Sequence, residues 1–390
     1  MEKYKLSELI VIKNGRDHKD LPNGDYPVFG SGGIMRYVNS YLYDKPSVLL
    51  PRKGSLSNIQ YSDTPFWTVD TLYYTEINEE LVSPYYLYRY LRLLDMSRLD
   101  SGTGVPSMTF DSYYNINVFL PNIEEQRRVA SILQKIDAKI ALNHQINDNL
   151  EAMAKQLYDY WFVQFDFPNE EGKPYKSSGG AMVWNEKLKR EIPTSFDVKS
   201  LSEIIEVKDG THDSPKPQDN GYFLLTSKHL TERGLDYASA YKISKEDYES
   251  INKRSKVDTN DILFSMIGTI GNSYFVEETK INFAIKNMAL FKTSAKRWFS
   301  EYMYLYLSSC DYKHYEGNSL SGSIQKFVPL RTLRDMPILY HEDIIKVFAK
   351  EVRNIITMMV NLRKENIELT KQRDELLPLL MNGQASVNSD

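Results

Sequence analysis

Residues 124–162 read EEQRRVASILQKIDAKIALNHQINDNLEAMAKQLYDYWF, a stretch without proline or glycine. Alternate steps of three and four residues through this stretch reach nine positions, and seven of them are apolar. The nine are Leu133, Ile136, Ile140, Asn143, Asn147, Leu150, Ala154, Leu157 and Trp161. Such spacing, kept over four heptads, is typical of a helix that packs along another helix. We therefore predict a long helix over residues 122–162, with Asn122 and Glu125 at its capped start.

A second stretch near the C-terminus repeats this pattern. Residues 342–377 also lack proline and glycine, and the same steps again give seven apolar positions of nine. These are Val352, Ile355, Met359, Leu362, Asn366, Leu369, Arg373, Leu376 and Leu380. Two such stripes predict a coiled-coil pair, the second helix covering residues 341–383 with Gly383 as its stop. The alternative is two unrelated amphipathic helices, each packed on its own domain.

The rest of the chain contains an internal repeat. Leu6-Ser7-Glu8-Leu9-Ile10 recurs 195 residues later, from Leu201 to Ile205, and further along the chain a shift of 219 aligns Phe119-Leu120 with Ile338-Leu339. Each half thus reads as a globular region followed by one long helix. We expect an α+β protein with a pseudo-two-fold repeat: two globular α/β regions, 1–121 and 197–340, separated by the two antiparallel helices. Residues 163–196 would connect the halves and pack along the helices, and residues 384–390 would form a tail.

The apolar stripes give candidate residues for helix pairing and for the docking of partner proteins. They are Leu133, Ile136, Ile140, Asn147, Leu150, Leu157, Trp161, Phe162, Val352, Ile355, Met359, Leu362, Asn366, Leu369 and Leu376. Asn147 and Asn366 are equivalent under the 219-residue shift. In an antiparallel pair they would meet near the crossing point, where a buried polar pair fixes the alignment at a cost in stability.

Composition excludes several classes of protein. The 390 residues are 42% hydrophobic and 26% charged, with 48 Lys+Arg against 52 Asp+Glu, so the net charge of −4 rules out a protein that coats nucleic acid by bulk charge. Cys310 is the one cysteine, which excludes a disulfide framework and indicates a reducing compartment. There is no 18-residue apolar run and no signal-peptide pattern. We expect a cytoplasmic protein without a membrane span.

Motifs of catalysis are missing from the sequence. It has no phosphate-binding loop, no dinucleotide turn, no nucleophile elbow and no metal-ligand spacing of cysteine and histidine. Together these absences predict a chain that performs no chemistry and needs no cofactor of its own.

Instead, the globular regions contain turns rich in Gly, Ser and Thr that carry basic or amide side chains. Glycine allows close approach to phosphates, and hydroxyl, amide and cationic groups contact phosphates or base edges. The DNA-contact candidates on or beside these turns are Ser31, Arg52, Lys53, Ser55, Thr68, Thr103, Ser107, Thr211, His212, Lys228, Thr269, Asn272, Ser321, Ser323, Gln325 and Lys326. Arg52, Lys53 and Lys326 are the strongest of them. Each turn taken singly is equally compatible with ordinary turn chemistry.

In combination, these features resemble the specificity subunits of Type I restriction–modification systems over nearly the whole chain. The similar segments are LPNIEEQR (120–127), WFV (161–163), GKPYK (172–176), EIP (191–193), DGTH (209–212), GTIG (268–271), RKG (52–54), FWTVDT (66–71) and LLPLLMNG (376–383). The chain departs from the family pattern at His341-Glu342-Asp343, which replaces the EEQ start of the second helix. Pro378, inside the last turns, leaves open whether the stripe reaches Leu380.

The resemblance implies a fold and a set of partners. Each globular region would be a target recognition domain that reads one half of a split site in double-stranded DNA. The paired helices would hold the domains apart and dock two methyltransferase (modification) subunits. S-adenosylmethionine, ATP and Mg would be bound by those subunits and by added restriction subunits, not by this chain.

A helix of 39 residues is about 58 Å long, compared with about 34–36 Å for one turn of B-DNA. Because the two globular regions differ, we expect an asymmetric, bipartite recognition sequence with half-sites about one helical turn apart. Two alternatives stay open: a coiled-coil scaffold that binds proteins without DNA specificity, and a methyltransferase or nuclease in its own right.

Overall fold

The computed structural model describes residues 1–96, 106–231, 234–319 and 327–384. The chain forms two compact units: Met1–Leu142 with Asn366–Asp390, and Asn143–Glu365. Each unit therefore contains one globular region together with part of each long helix.

The first unit is built on two small sheets. Its elements are β1 Glu2–Lys5, α1 Leu6–Leu9, β2 Ile10–Asn14, β3 Tyr26–Gly30, β4 Gly33–Val38, β5 Ser47–Pro51, β6 Gln60–Ser62, β7 Trp67–Thr68, β8 Leu72–Ile77, α2 Pro84–Leu93, α3 Phe110–Tyr114 and β9 Asn117–Leu120, followed by α4 Ile123–Tyr158, which runs into the second unit. One sheet has the order β2-β8-β5-β6, and the other has the order β4-β3-β7 with β3 parallel to β7. Strands β1 and β9 pair antiparallel and bring the two ends of the globular region together.

Apolar residues of α2, α3 and the four-stranded sheet form the main core of this unit. Val48 and Leu50 of β5 are fully buried, as the apolar run Ser47–Leu50 predicts. The same core includes Leu133 of α4 and three residues from the C-terminal helix, Leu377, Leu380 and Met381. The long helices are thus part of the hydrophobic core of the globular region.

The second unit repeats this plan. After a π-helical turn at Asp159–Val163, its elements are β10 Met182–Asn185, β11 Arg190–Pro193, β12 Asp197–Ser200, α5 Leu201–Ile204, β13 Val207–Asp209, β14 Tyr222–Thr226, β15 Leu230–Thr231, β16 Gly234–Leu235, β17 Lys242–Ile243, α6 Lys245–Ser255, β18 Ile262–Ser265, β19 Ser273–Phe275, β20 Phe283–Lys286, β21 Met288–Phe291, α7 Ser300–Ser308, α8 Cys310–Ser319, α9 Leu330–Arg334, β22 Pro337–Tyr340 and α10 Glu342–Met381. The sheet orders β13-β21-β18-β19 and β17-β14-β20 match those of the first unit, including one parallel pair, β14 with β20.

The shared topology confirms the α+β fold with an internal repeat. It also locates the extra residues of the second half. Strands β3 and β4 are joined by the two-residue turn Ser31-Gly32, whereas β14 and β17 are joined by a longer connection that contains the β15–β16 hairpin. Helix α6 is a further addition, inserted between β17 and β18.

The connector is packed at its start and exposed at its hairpin. Phe165 and Phe167 are buried in the core of the second unit beside Trp161 and Phe162. Trp184, however, is 55% exposed, and Val183 before it is similarly exposed. The expectation that the whole connector packs along the helices is therefore wrong for this hairpin, because the β10–β11 pair turns these two side chains towards solvent.

The long helices α4 and α10 pair antiparallel within each unit. In the first unit Arg373 of α10 bonds Asp137 of α4, and in the second unit Asn143 of α4 donates to Glu365 of α10. Asn122 caps α4 by accepting the N–H of Glu125 at 2.9 Å. These contacts confirm the antiparallel pairing.

Burial along the helices agrees with most of the predicted contact residues. Leu133, Leu150, Trp161, Phe162, Val352, Met359 and Asn366 are buried, and Ile136, Ile140, Asn147, Leu157, Ile355, Leu362 and Leu369 are half-buried. Leu376 is exposed and the neighbouring Leu377 is buried instead, so the prediction that Leu376 pairs the helices is wrong, whereas its predicted role in partner docking stays a prediction. Helix α10 continues through Pro378 to Met381, and Leu380 is buried.

The predicted polar positions need one correction. In the first unit the amide of Asn366 faces the carbonyl of Ile140, at 3.4 Å. In the second unit Asn143, not Asn147, is the fully buried asparagine of α4. The polar position of the first helix thus lies about one turn earlier than predicted, because sequence equivalence does not reveal the offset between antiparallel helices.

Candidate nucleic-acid interface

Three loop segments of the first unit meet at Gly54. We call this group the first loop cluster; it comprises Gly30–Gly33, Pro51–Ser55 and Pro106–Ser107. The N–H of Gly54 donates to the carbonyl of Pro106 at 3.0 Å, and Lys53 forms a β-bridge with Ser107. Gly54 has a φ of +92°, and a Cβ there would lie 3.4 Å from the Ser31 hydroxyl, so a larger residue would be strained. The loops are held close together by backbone contacts.

Two amide side chains fix the hairpin turn of the first loop cluster. Asn58 donates to the carbonyl of Ser31 at 2.6 Å, and Gln60 donates to the carbonyl of Gly30 at 2.8 Å. Neither residue was among the sequence candidates. Their signal is weak, because amides in a short polar segment are common in any loop.

The candidate side chains of this cluster have different access to solvent. Lys53 and Ser55 are exposed, and Ser31 and Ser107 are half-buried. Arg52 is also half-buried, with its guanidinium over the Tyr73 ring at 5.9 Å and a 3.4 Å contact to the Asp70 carbonyl. Burial raises the pKa of Tyr73, so this ring stays neutral beside the cation. The cluster therefore carries two cationic side chains next to each other, with serine hydroxyl groups around them.

Thr68 is a wrong candidate. It is fully buried in β7, where it pairs with Phe29 of β3. Sequence reasoning placed it near the recognition turns because of its neighbours, but the alternation of the strand turns its side chain into the core.

A second group of loop segments meets in the second unit, and two of these segments follow strands equivalent to β3 and β5 of the first unit. We call this group the second loop cluster; it comprises Thr211–His212, Ser227–Lys228, Ile267–Asn272 and Asn287. The Thr269 hydroxyl lies 3.3 Å from the Ser227 carbonyl, and the Ser227 hydroxyl donates to the Asn287 carbonyl at 3.0 Å. Part of the cluster lines an open cavity of about 330 Å³.

Asn287 is the residue of this cluster that sequence reasoning missed. Its φ is +53°, a left-handed conformation that asparagine adopts more readily than most residues. Its side-chain oxygen lies 2.8 Å from Nδ1 of His212, whose other ring nitrogen contacts Asp209 at 3.0 Å. A signal existed in the sequence, since Asn287 interrupts the apolar run FAIKNMALF between two buried strands.

The remaining candidates of the second unit divide into exposed and structural groups. His212, Lys228 and Thr269 are exposed. Thr211 is buried, and its hydroxyl contacts Asp213, so it shapes the turn and is wrong as a direct contact. The amide of Asn272 donates to the Leu230 carbonyl at 2.9 Å and holds the loop. Candidates Thr103, Ser321, Ser323, Gln325 and Lys326 lie outside the described residues.

The two clusters are equivalent in backbone and different in side chains. Met108 donates to the carbonyl of Arg52, as Val328 does to that of Met266, each at 3.0 Å. The β-bridge of Lys53 with Ser107 has its counterpart in that of Ile267 with Phe327. The positions of Arg52 and Lys53 are thus taken by Met266 and Ile267. The same backbone positions carry two cations in the first unit, whereas in the second unit they carry a buried Met266 and a half-buried Ile267.

Comparison with known proteins shows which family the chain resembles. Residues 1–152 match the model described as Type I restriction modification DNA specificity domain. Over most of its length the chain is similar to specificity subunits of Type I restriction–modification systems. It is 23% identical over 394 residues to the Type I restriction enzyme MjaIX specificity subunit of Methanocaldococcus jannaschii, covering 95% of this chain and 86% of that protein.

Two further proteins of the same kind are similar to this chain. The MjaVIII specificity subunit of the same organism is 23% identical over 353 residues, which are 88% of this chain and 77% of that protein. The crystal structure of a Type I restriction–modification S subunit from M. genitalium shares the fold with a TM-score of 0.62 at 16% identity, covering 100% of this chain and 96% of that one.

Specificity subunits recognise DNA sequence, assemble with other subunits and are non-catalytic components of their systems. These comparisons support neither the scaffold nor the enzyme alternative. No helix among the described residues is long and apolar enough to cross a membrane.

Proposed function

We propose that this chain reads a bipartite, asymmetric DNA site, with one half-site for each loop cluster. Residues 1–121 and 197–340 would be the two target recognition domains. The observation that carries the proposal is the equivalence of Arg52-Lys53 with Met266-Ile267 on a shared backbone frame. Identical readers would select a symmetric site, whereas readers with different side chains select different half-sites.

We propose different roles for the exposed residues, according to their side-chain chemistry. Lys53 and Lys228 carry exposed ammonium groups, which suit phosphate contacts that position the domain. Ser55, Thr269 and His212 are short or planar hydrogen-bonding groups at loop tips, which suit contacts with base edges. The net charge of −4 implies that partner subunits provide part of the phosphate neutralisation.

The helices have exposed apolar side chains that suit two protein partners. In the first unit these are Leu142, Ile367, Leu376 and Leu379, and in the second unit they are Met153, Val347 and Met358. Exposed apolar groups on helices favour docking of other helices. We propose that each group docks one modification subunit, so that the assembly contains two of them.

The test is a map of methylated adenines in cells that express the chain with its modification subunit. We expect one motif with two different half-sites and a non-specific spacer. In Ser55→Ala the half-site read by the first cluster should become degenerate, while in Thr269→Ala only the other half-site should change. Lys3→Ala, an exposed lysine on β1, is the control. A continuous motif, or equal effects of both variants on both half-sites, would refute the proposal.

A further inference from the structure

The hairpin of the first loop cluster exposes a pair of adjacent apolar side chains. Ile34 is 51% exposed and Met35 is 60% exposed, both on β4. Consecutive residues of a regular strand point to opposite faces of a sheet, so such a pair normally has one buried member. Here the pairing passes from Val28↔Arg36 to Phe29↔Ile34, which leaves Met35 as an extra residue in a β-bulge. The bulge lets both side chains face solvent.

This pair is fixed against the first loop cluster. The sulfur of Met35 lies over Gly30, where a Cβ would be only 2.6 Å from it. Asn58 and Gln60 hold the carbonyls of Ser31 and Gly30, as described above. The apolar pair therefore has a defined position next to the turn that contacts Gly54, and it is not a mobile tip.

The globular region of the second unit, residues 197–340, has no such pair among its described residues. The two-residue turn after β3 is replaced by the connection that contains β15 and β16. Within the described part of residues 197–340, the one large apolar side chain counted as exposed is Phe327, at 39%. The apolar hairpin is thus a property of the first recognition domain.

We propose that Ile34 and Met35 form a wedge that inserts at a base step of the DNA half-site read by the first cluster and unstacks it. The inference rests on the proposed function. A wedge needs an apolar group on a rigid support beside phosphate-binding cations, and Arg52 and Lys53 supply the cations. DNA offers both the apolar base faces and the flanking phosphates. The exposed apolar residues suited to protein partners lie on the helices instead.

The test uses the assembled methyltransferase complex and its mapped site, with 2-aminopurine placed in turn at each step of both half-sites. We expect a fluorescence increase at one step of the first half-site. In Ile34→Ser/Met35→Ser this increase should disappear, and binding should weaken by about a hundredfold, which is about tenfold for each of the two buried apolar side chains. Ile34→Leu/Met35→Leu keeps the apolar surface and should keep the signal. Val11→Ser, at an exposed apolar residue of β2, is the control.

The outcomes separate this inference from the proposed function. If the wild-type complex methylates its bipartite site but no step of the first half-site shows unstacking, the wedge is refuted and the function stands. If the serine variant no longer assembles with modification subunits, the hairpin is a protein-docking surface and the wedge is likewise refuted. Absence of any site-specific binding by the wild-type complex would instead refute the proposed function.

Discussion

Asn287 has two roles: its backbone conformation forms a turn, and its side chain contacts another residue of the second loop cluster. Its left-handed conformation closes the turn between β20 and β21, and its side chain contacts His212. Alanine in this conformation costs about 1–2 kcal/mol, whereas glycine adopts it freely.

We therefore predict that Asn287→Ala lowers the free energy of unfolding by about 1 kcal/mol relative to Asn287→Gly, measured by urea titration. Asn282, an exposed residue without a positive φ, is the matched position, and there alanine should be at least as stable as glycine. Equal stability of the two Asn287 variants would contradict the assignment of strain to this residue.

His229 makes the stability of the second unit depend on pH. It is buried, and its Nδ1 accepts the N–H of Thr226 at 2.8 Å. Burial lowers the pKa of His229 below its usual value of 6.5. The folded protein thus favours the neutral form of His229. As the pH falls, this histidine is therefore protonated in the unfolded chain at a higher pH than in the folded protein. The stabilisation is complete above pH 6.5 and is lost as the pH drops through 6.5 towards the lower pKa of the folded state.

We expect the Tm of the wild type to fall between pH 7.5 and pH 5.5 by about 2–4 °C more than that of His229→Asn, in which the amide oxygen can still accept the Thr226 N–H. Differential scanning calorimetry gives both slopes. His314→Gln, at an exposed histidine, should keep the wild-type slope. A His229→Asn slope equal to that of the wild type would exclude this histidine as the source.

For single residues, the sequence predicted the exposed cationic and hydroxyl side chains, but it did not predict the residues that hold their loops in place. Lys53 and Ser55 were found because glycine-rich turns with such groups are recognisable. Asn58, Gln60 and Asn287 were missed because their roles depend on carbonyls and rings that come close only in the folded chain. Thr68 was misplaced because a local motif does not show which face of a strand is buried.

Among the elements, the long helices were predicted best, since their apolar spacing is a local property. Their bounds, Ile123–Tyr158 and Glu342–Met381, lie close to the predicted ones. The error at Leu376 has a geometric cause: seven turns of a straight α-helix take about 25 residues, which leads from Val352 to Leu377, whereas a strict heptad pattern leads to Leu376. In the first helix Trp161, which lies in the π-helical turn Asp159–Val163, is buried as predicted.

Asp137 joins three helices of the first unit, a contact that no local pattern contains. Its carboxylate bonds Arg373 of α10 at 3.0 Å and also contacts Arg89 and the Tyr85 hydroxyl of α2. The Arg89 side chain is only 5% exposed. Removal of the carboxylate charge would therefore leave a buried guanidinium without compensation.

We predict that Asp137→Asn lowers the free energy of unfolding of the first unit by about 3–5 kcal/mol, measured by urea titration. Glu124→Gln is the control on the same helix. Its pair with Arg127 is exposed, so its removal should leave stability nearly unchanged. A small effect of Asp137→Asn would show that Arg89 finds other partners.

For the molecule as a whole, the repeat gives two globular regions that share one topology and differ in the side chains of their loops, and the long helices contribute to the core of each. The sequence revealed the repeat through two short matching segments, which recur at offsets of 195 and 219 residues along the chain. It could not locate the added residues, because α6 and the β15–β16 hairpin have no partner in the first half against which to align.

The last prediction concerns the helices as a spacer. Helix α4 has 36 residues and is therefore about 54 Å long. If the pair sets the distance between the half-sites, four residues added to both helices, after Leu142 and after Glu365, lengthen it by about 6 Å. At about 3.4 Å per base pair, the spacer of the methylated motif should grow by about two base pairs, with both half-sites unchanged. The same four residues inserted at Gly172, in the connector, should leave the spacer as it was. Methylation mapping measures all three proteins, and an unchanged spacer in a folded, active helix variant would show that something other than helix length sets the distance.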